Sequence, residues 1–215
     1  MIVDYFQARE RMVREQLASR GINDPRVLQA MAKIPRHLFV ESELWDQAYE
    51  DHPLPIGANQ TISQPYIVAL MVQALELTGV ERVLEVGAGS GYAAAVLGEL
   101  CAEVFSIEVV EELAVKARTT LSKLGCDNVS VLVGDGTLGC REHSPYDDII
   151  ISAAAPGIPR PLIEQLGVPG YLVFPMGEKE LQTLVRIRKD DAGIHEEYLG
   201  ECHFVSLRGK YGWQD

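Results

Sequence analysis

From residue 82 onward the chain alternates short apolar runs with helical stretches, and few folds accept that pattern. The runs are 82–86, 104–107, 129–133, 148–152 and 171–174, and helical periodicity fills 91–100, 111–124 and 159–166 between them. Strand, helix, strand in alternation makes a parallel sheet, because two parallel strands need a long crossover and the helix supplies it. Right-handed crossovers put helices on both faces and open a ligand crevice at the carboxyl ends of the strands. The fold class expected is α/β: a doubly wound, mostly parallel Rossmann-like sheet. Gly125 stands where a left-handed residue would close the second helix. Two further stretches, 181–188 and 197–207, flank a turn at 189–193 and read as an antiparallel C-terminal edge.

Ahead of the sheet, residues 1–78 read as a helical extension and a loop, and 79–215 as the sheet with its C-terminal strands. No repeat, low-complexity tract or linker separates the two parts, so residues 1–215 are expected to form one domain. Asp4 can cap a helix whose apolar stripe is Phe6, Met12, Val13 and Leu17, stopped by Gly21. Asp24-Pro25 starts a second, with Val27, Met31 and Ile34 inward and Pro35 at its end. A third is expected over 65–77. The segment 49–65, rich in Pro, Gly, Asn and Gln, is expected to be irregular and functional, and to cover the site. Residues 53–75 are uncharged and long enough to span a bilayer, but Pro53, Pro55 and Pro65 with Asn59, Gln60 and Gln64 exclude that reading.

Charge narrows the partners. A net charge of −12 argues against DNA, RNA or an anionic membrane as an electrostatically held partner. The N terminus lacks a basic start followed by an apolar run, so a cytoplasmic location is expected. Cys101, Cys126, Cys140 and Cys202 form no CxxC pair and are read as reduced thiols with no histidine at zinc spacing. The five histidines share no metal-ligand spacing, and no metal is expected. The basic and aromatic 208–213 reads as a short tail.

Val83-Leu84-Glu85-Val86-Gly87-Ala88-Gly89-Ser90-Gly91-Tyr92 puts three glycines on a turn from a buried strand into a helix, where backbone can approach a ligand closely. The dinucleotide fingerprint wants its third glycine one residue later, where Tyr92 stands. Glu85 at the strand end would repel a pyrophosphate but suits a ligand bearing an ammonium group. S-adenosylmethionine carries that ammonium and no phosphate. About twenty residues on, Glu108 ends the second strand, where a carboxylate can accept both ribose hydroxyls. After the third strand, Gly134-Asp135-Gly136 offers Asp135 as acceptor for an adenine amino group and glycines against which the base can lie. Glu85, Gly87, Gly89, Gly91, Glu108, Asp135 and Gly136 are therefore the cofactor-binding candidates.

Together these features resemble the class I S-adenosylmethionine-dependent methyltransferases over most of residues 80–175. Within that class, the segment Pro53-Leu54-Pro55-Ile56-Gly57-Ala58-Asn59-Gln60-Thr61-Ile62-Ser63-Gln64-Pro65-Tyr66 resembles the protein-L-isoaspartate O-methyltransferases, as do Pro35-Arg36-His37-Leu38-Phe39-Val40, Ala48-Tyr49 and residues 146–156. The likeness runs from about residue 5 to residue 207. Asn59 departs from the glycine common in bacterial relatives, and Ser206 from an expected proline at the floor of the substrate groove. The resemblance implies methyl transfer from S-adenosyl-L-methionine, leaving S-adenosyl-L-homocysteine, to the free α-carboxyl of L-isoaspartyl residues, with some action on D-aspartyl residues. The implied role is repair of aged peptides and proteins; separately, a monomer is expected. Such a carboxylate is already ionised at neutral pH, so positioning rather than a strong base carries the reaction. Ser63 is the catalytic candidate, and Thr61 joins it in substrate binding. Ser63 could equally cap the helix beginning near Pro65. A methyltransferase for a small molecule or RNA, and a nucleotide-sensing module without catalysis, remain as rivals at this stage. A nicotinamide oxidoreductase ranks below them for want of the third Rossmann glycine.

Overall fold

The N-terminal helix starts at its cap. In the computed structural model, which describes residues 4–178 and 180–213, the Asp4 carboxylate accepts the amides of Phe6 and Gln7 at 3.0 and 3.1 Å. It thereby opens α1 (Tyr5–Arg11). A wider π turn, Met12–Leu17, and a 3-10 turn, Ala18–Arg20, carry the helix on to Gly21, whose left-handed backbone ends it. Asp24 caps α2 (Pro25–Lys33), with Pro25 in the first turn. α3 (Pro65–Gln73) is shorter than the expected span and presents six buried residues.

Segment 49–65 departs from its expected irregularity. It holds a hairpin of β1 (Leu54–Gly57) and β2 (Gln60–Ile62). Leu54, Ile56 and Ile62 face inward on alternate positions, but the run is short and Pro55 interrupts it, so the period-2 signal is weak. Ala58 and Asn59 form the two-residue turn at φ 50° and 56°, the left-handed pair that matches strand twist in a tight hairpin. Asparagine tolerates that backbone; alanine does not.

The remaining strands are β3 (Arg82–Val86), β4 (Glu103–Glu108), β5 (Val129–Val133), β6 (Tyr146–Ile151), β7 (Leu166–Gly177), β8 (Gln182–Asp190) and β9 (Gly193–Cys202). They form one sheet in the order β5-β4-β3-β6-β7-β8-β9. The strands from β3 to β7 run parallel, and β8 and β9 add antiparallel at one end, as expected. Helices α4 (Tyr92–Gly98), α5 (Glu111–Leu124) and α6 (Arg160–Gln165) are the crossover elements, and Gly125 closes α5 at φ 70°. Residues 203–207, expected to extend the last strand, leave the sheet after Cys202; the Phe204 amide donates to the Gln182 side chain of β8 at 2.7 Å, and Ser206 bridges Ala154 beyond the end of β6.

Alternation along the strands divides the core. Val83, Val104, Ile150 and Val173 pack under α1 to α5, whereas Leu84, Phe105, Ile149 and Leu172 pack on the other face with Leu162 of α6. Replacing the strained turn pair by Ala58→Asn with Asn59→Gly should stabilise the fold by about 1 kcal/mol and raise Tm by about 2–4 °C. A thermal melt that shows no gain would contradict the left-handed turn.

Candidate active site

Chain order reverses at β3: β4 follows on one side, and β6 arrives on the other. The carboxyl ends of strands on either side of such a switch point diverge and leave a crevice. A cavity open to solvent lies there. Its wall carries the glycine turn, the ends of β4 and β6, residues 60–63 and residues 205–208. Gly87, Gly89 and Gly91 all take left-handed backbone, at φ 91°, 53° and 86°. The turn is drawn onto β4 by the amides of Gly87 and Ala88, which donate to the Ile107 carbonyl at 2.8 and 3.2 Å. A Cβ on Gly91 would come within 3.1 Å of the Ala117 methyl, so glycine there also lets α4 and α5 pack. The Ser90 hydroxyl accepts the Tyr92 amide at 3.3 Å and starts α4.

Glu85 is fully buried at the end of β3 and lines the cavity. Register places Ser106 of β4 directly beside it, and the Ser106 hydroxyl donates to its carboxylate. From β6, the Ser152 hydroxyl donates at 3.4 Å. Glu85 and Ser106 stand one pleat repeat beyond Val83 and Val104, and Ser152 one beyond Ile150, on the same face of the sheet. Burial pushes the Glu85 carboxyl up to about 8, with the Ser106 hydrogen bond pulling down and the charge of Glu108 pushing up. A cationic ammonium entering the cavity would relieve that burden. Ser106 and Ser152 escaped the sequence reading; small polar residues at adjacent strand ends were their only signal.

Glu108 accepts the amides of Gly89 at 2.8 Å and Val110 at 2.9 Å. Two of its lone pairs stay available for ribose hydroxyls. Gly136 also lines the cavity, so tightly seated that a Cβ would fall 2.5 Å from Val86 Cγ1. Asp135 is placed differently from its neighbours. Its Oδ1 accepts the Thr137 amide and hydroxyl at 2.9 and 2.6 Å, its Oδ2 accepts the Lys210 amide at 2.8 Å, and it is not on the cavity wall. The 208–213 segment, read as a short tail, is thus a docked loop.

Ser63 and Thr61 lie on the same wall. The residue preceding α3 in the cap position is Gln64, with no side-chain cap, and among the described residues the Ser63 hydroxyl has no hydrogen-bond partner. It is left free rather than capping the helix. What holds this wall in place is the N-terminal extension. The fully buried Arg36 donates through Nε to the Ala48 carbonyl at 2.7 Å, Gln16 to the Tyr49 carbonyl at 2.9 Å, and Gln64 to the Asp51 carbonyl at 3.0 Å. Arg20 pairs with the Asp51 carboxylate at 2.5 Å, and His37 shares a hydrogen bond with the Tyr49 hydroxyl at 2.7 Å. Ile56 then lies over the glycine turn, with its Cδ1 3.4 Å from where a Gly89 Cβ would be.

One grouping was passed over in the sequence. Cys140 and His143 stand three residues apart, and with Glu142 they bring ligand-type atoms within 4.8 Å of one another, away from the cavity wall.

The donors and acceptors around the glycine turn fit S-adenosylmethionine: the carboxylates of Glu85 and Glu108 stand beside it, where they would repel a pyrophosphate. Doubly wound sheet, glycine turn and acids at successive strand ends define a class I S-adenosylmethionine-dependent methyltransferase. The chain belongs to the protein-L-isoaspartate(D-aspartate) O-methyltransferase family, whose model matches residues 7–212. A relative from Syntrophus aciditrophicus (strain SB) named protein-L-isoaspartate O-methyltransferase is 55% identical over 99% of this chain and 99% of its own. Protein-L-isoaspartate O-methyltransferase 1 of Syntrophobacter fumaroxidans is 54% identical over 99% of this chain and 100% of its own. A solved protein-L-isoaspartate O-methyltransferase superposes with a TM-score of 0.87 at 30% identity, covering 95% of this chain and 67% of its own. A Plasmodium falciparum structure assigned to the same enzyme, in complex with S-adenosyl-L-homocysteine, gives a TM-score of 0.79 at 26% identity over 93% of this chain and 98% of its own.

The raised Glu85 carboxyl has a consequence for stability. Between the ordinary value of 4.5 and about 8 the folded chain holds this proton and the unfolded chain does not. Glu85 therefore makes stability fall as pH rises through that window. The Tm advantage of Glu85→Gln over the parent should grow from pH 5 to pH 8, while the Kd for S-adenosyl-L-homocysteine rises about tenfold. A Tm difference that ignores pH would sink this account.

Proposed function

We propose that this protein methylates the free α-carboxyl of L-isoaspartyl residues, with D-aspartyl residues as a lesser substrate, and so begins the repair of aged peptides and proteins. The observation that carries the reading is the free Ser63 hydroxyl on the wall of the same cavity as Glu85 and Glu108. S-adenosyl-L-methionine, when bound, supplies an electrophilic methyl on a sulfonium. Glu85 receives its ammonium, Glu108 its ribose hydroxyls, and Gly87, Gly89 and Gly91 admit it against backbone. Gly136 would back the adenine, while Asp135, off the cavity wall with its carboxylate engaged by Thr137 and Lys210, would brace that end of the site rather than bind the base.

The substrate carboxylate arrives ionised, so no residue has to remove a proton. Ser63 donates one hydrogen bond, enough to orient an oxygen toward the methyl without strongly stabilising its charge, and Thr61 helps to align the peptide. The hairpin over the glycine turn keeps water from the reacting atoms. Four free cysteines suit a reducing compartment, and we place the enzyme in the cytoplasm. No helix among the described residues is long and apolar enough to cross a membrane.

Labelled S-adenosylmethionine offered with two otherwise identical peptides should leave base-labile label on the L-isoaspartyl peptide and none on the L-aspartyl one. Ser63→Ala should lower kcat/KM on the isoaspartyl peptide about 10- to 100-fold and leave S-adenosyl-L-homocysteine binding unchanged. Label on neither peptide would favour a small-molecule or RNA acceptor; full activity of Ser63→Ala would remove this residue from the site.

A further inference from the structure

A carboxylate substrate has to approach a chain of net charge −12. The two acids on the cavity wall, Glu85 and Glu108, make the field there less welcoming still. Among the described residues lining that wall, Arg208 is the one cationic side chain. It is exposed, and no carboxylate of the described residues pairs with it, whereas Arg20, Arg26, Arg82, Arg141, Arg160, Arg186 and Arg188 each have an acidic partner.

Its backbone is not that of a loose tail. Just before it, the Leu207 amide donates to the Ala154 carbonyl at 2.8 Å, at the carboxyl end of β6. Just after it, the Lys210 amide donates to Asp135 at 2.8 Å and the Tyr211 amide to the Thr137 hydroxyl at 3.1 Å. Trp213 returns to close the loop: its amide donates to the Leu207 carbonyl at 2.9 Å and its indole NH to the Ala154 carbonyl at 3.1 Å. Gly209 sits so close to Asp135 that a Cβ there would overlap the carboxylate, at 2.1 Å from Oδ1. Arg208 is thereby presented from a loop fixed on both flanks, so little backbone entropy is left to lose on binding.

The position also lies on a path for a peptide. A second, shallow groove adjoins the cavity, and Gln60 and residues 205–208 line both spaces. A chain lying in this groove would enter the cavity past Arg208 to reach Ser63. We propose that Arg208 is a specificity-determining residue that draws the free isoaspartyl α-carboxylate into the cavity and holds it in the ground state, at the rim, before Ser63 orients it. A rim cation acts chiefly on encounter and on ground-state binding, and its effect is screened by salt. This assignment rests on the isoaspartyl reading given above.

The test uses the full chain with an L-isoaspartyl peptide and compares Arg208→Gln and Arg208→Lys with the parent. Arg208→Gln should raise KM about tenfold, as expected for loss of one charged hydrogen bond, with kcat within about twofold. The parent's kcat/KM should fall with added NaCl, and that fall should flatten in Arg208→Gln and persist in Arg208→Lys. Affinity for S-adenosyl-L-homocysteine should be unchanged in both. An unchanged KM and salt slope in Arg208→Gln would overturn the assignment. So would a parallel loss of S-adenosyl-L-homocysteine affinity, since Arg208 would then act through the loop on Asp135. A parent inactive on the isoaspartyl peptide would instead overturn the substrate reading itself, so the two failures are distinguishable.

Discussion

The parallel pairing of β3 with β4 on one edge and β6 on the other is the constraint from which the site follows. Pairing on both edges places β3 at the centre of the sheet, where the layers packed on the two faces bury it, and sets Glu85 in register with Ser106 and beside Ser152. A carboxylate in such a place is unfavourable unless it is hydrogen-bonded or neutralised. Two hydroxyls meet part of that need, and the rest appears as a raised affinity for a proton. The same pairing ends where the chain reverses order, so the strained group faces an opening. Strain, opening and glycine turn therefore coincide for one geometric reason.

Around that centre the other segments act as walls and braces. Arg36, Gln16 and Gln64 hold successive carbonyls of the chain entering the hairpin, which explains why the segment from α1 to Arg36, with no residue on the cavity wall, accompanies the sheet. The tips of Arg36 find no protein partner, and burial lowers its pKa to about 10. Its charge is accommodated in part by the face of Tyr92, 5.0 Å from the guanidinium carbon, which ties the extension to the start of α4. The loop 207–213 fastens Asp135 to the end of β6. The hairpin tip and this loop share one groove, so the segment carrying Ser63 and the loop carrying Arg208 meet at the cavity.

Much of this was legible in the sequence, for identifiable reasons. Caps at Asp4 and Asp24 and the closing Gly21 and Gly125 act within one or two turns, so local spacing was enough. The glycine turn, Glu108 and Gly136 each follow a recognisable strand, and the fold brings them to one cavity. The hairpin was hidden because its strands are short and one contains proline. The docked loop was hidden because glycine and basic residues near a terminus resemble a solvated tail, while its fastening point, Asp135, lies far away in the chain. Ser63 was ambiguous between cap and site, and its free hydroxyl in the fold leaves the cap unused.

Residue order alone determined the alternation of strand and helix, the turn that only glycines permit, and an acid at the end of each of three strands. These depend on backbone preferences and periodicities read over a few residues. Tertiary structure decided which hydroxyls meet Glu85, which strand ends the sheet, and that residues 207–213 return to the cavity to present Arg208. Those outcomes depend on strand register and on the packing of crossovers. Both join residues tens of positions apart, whose alignment no local preference encodes.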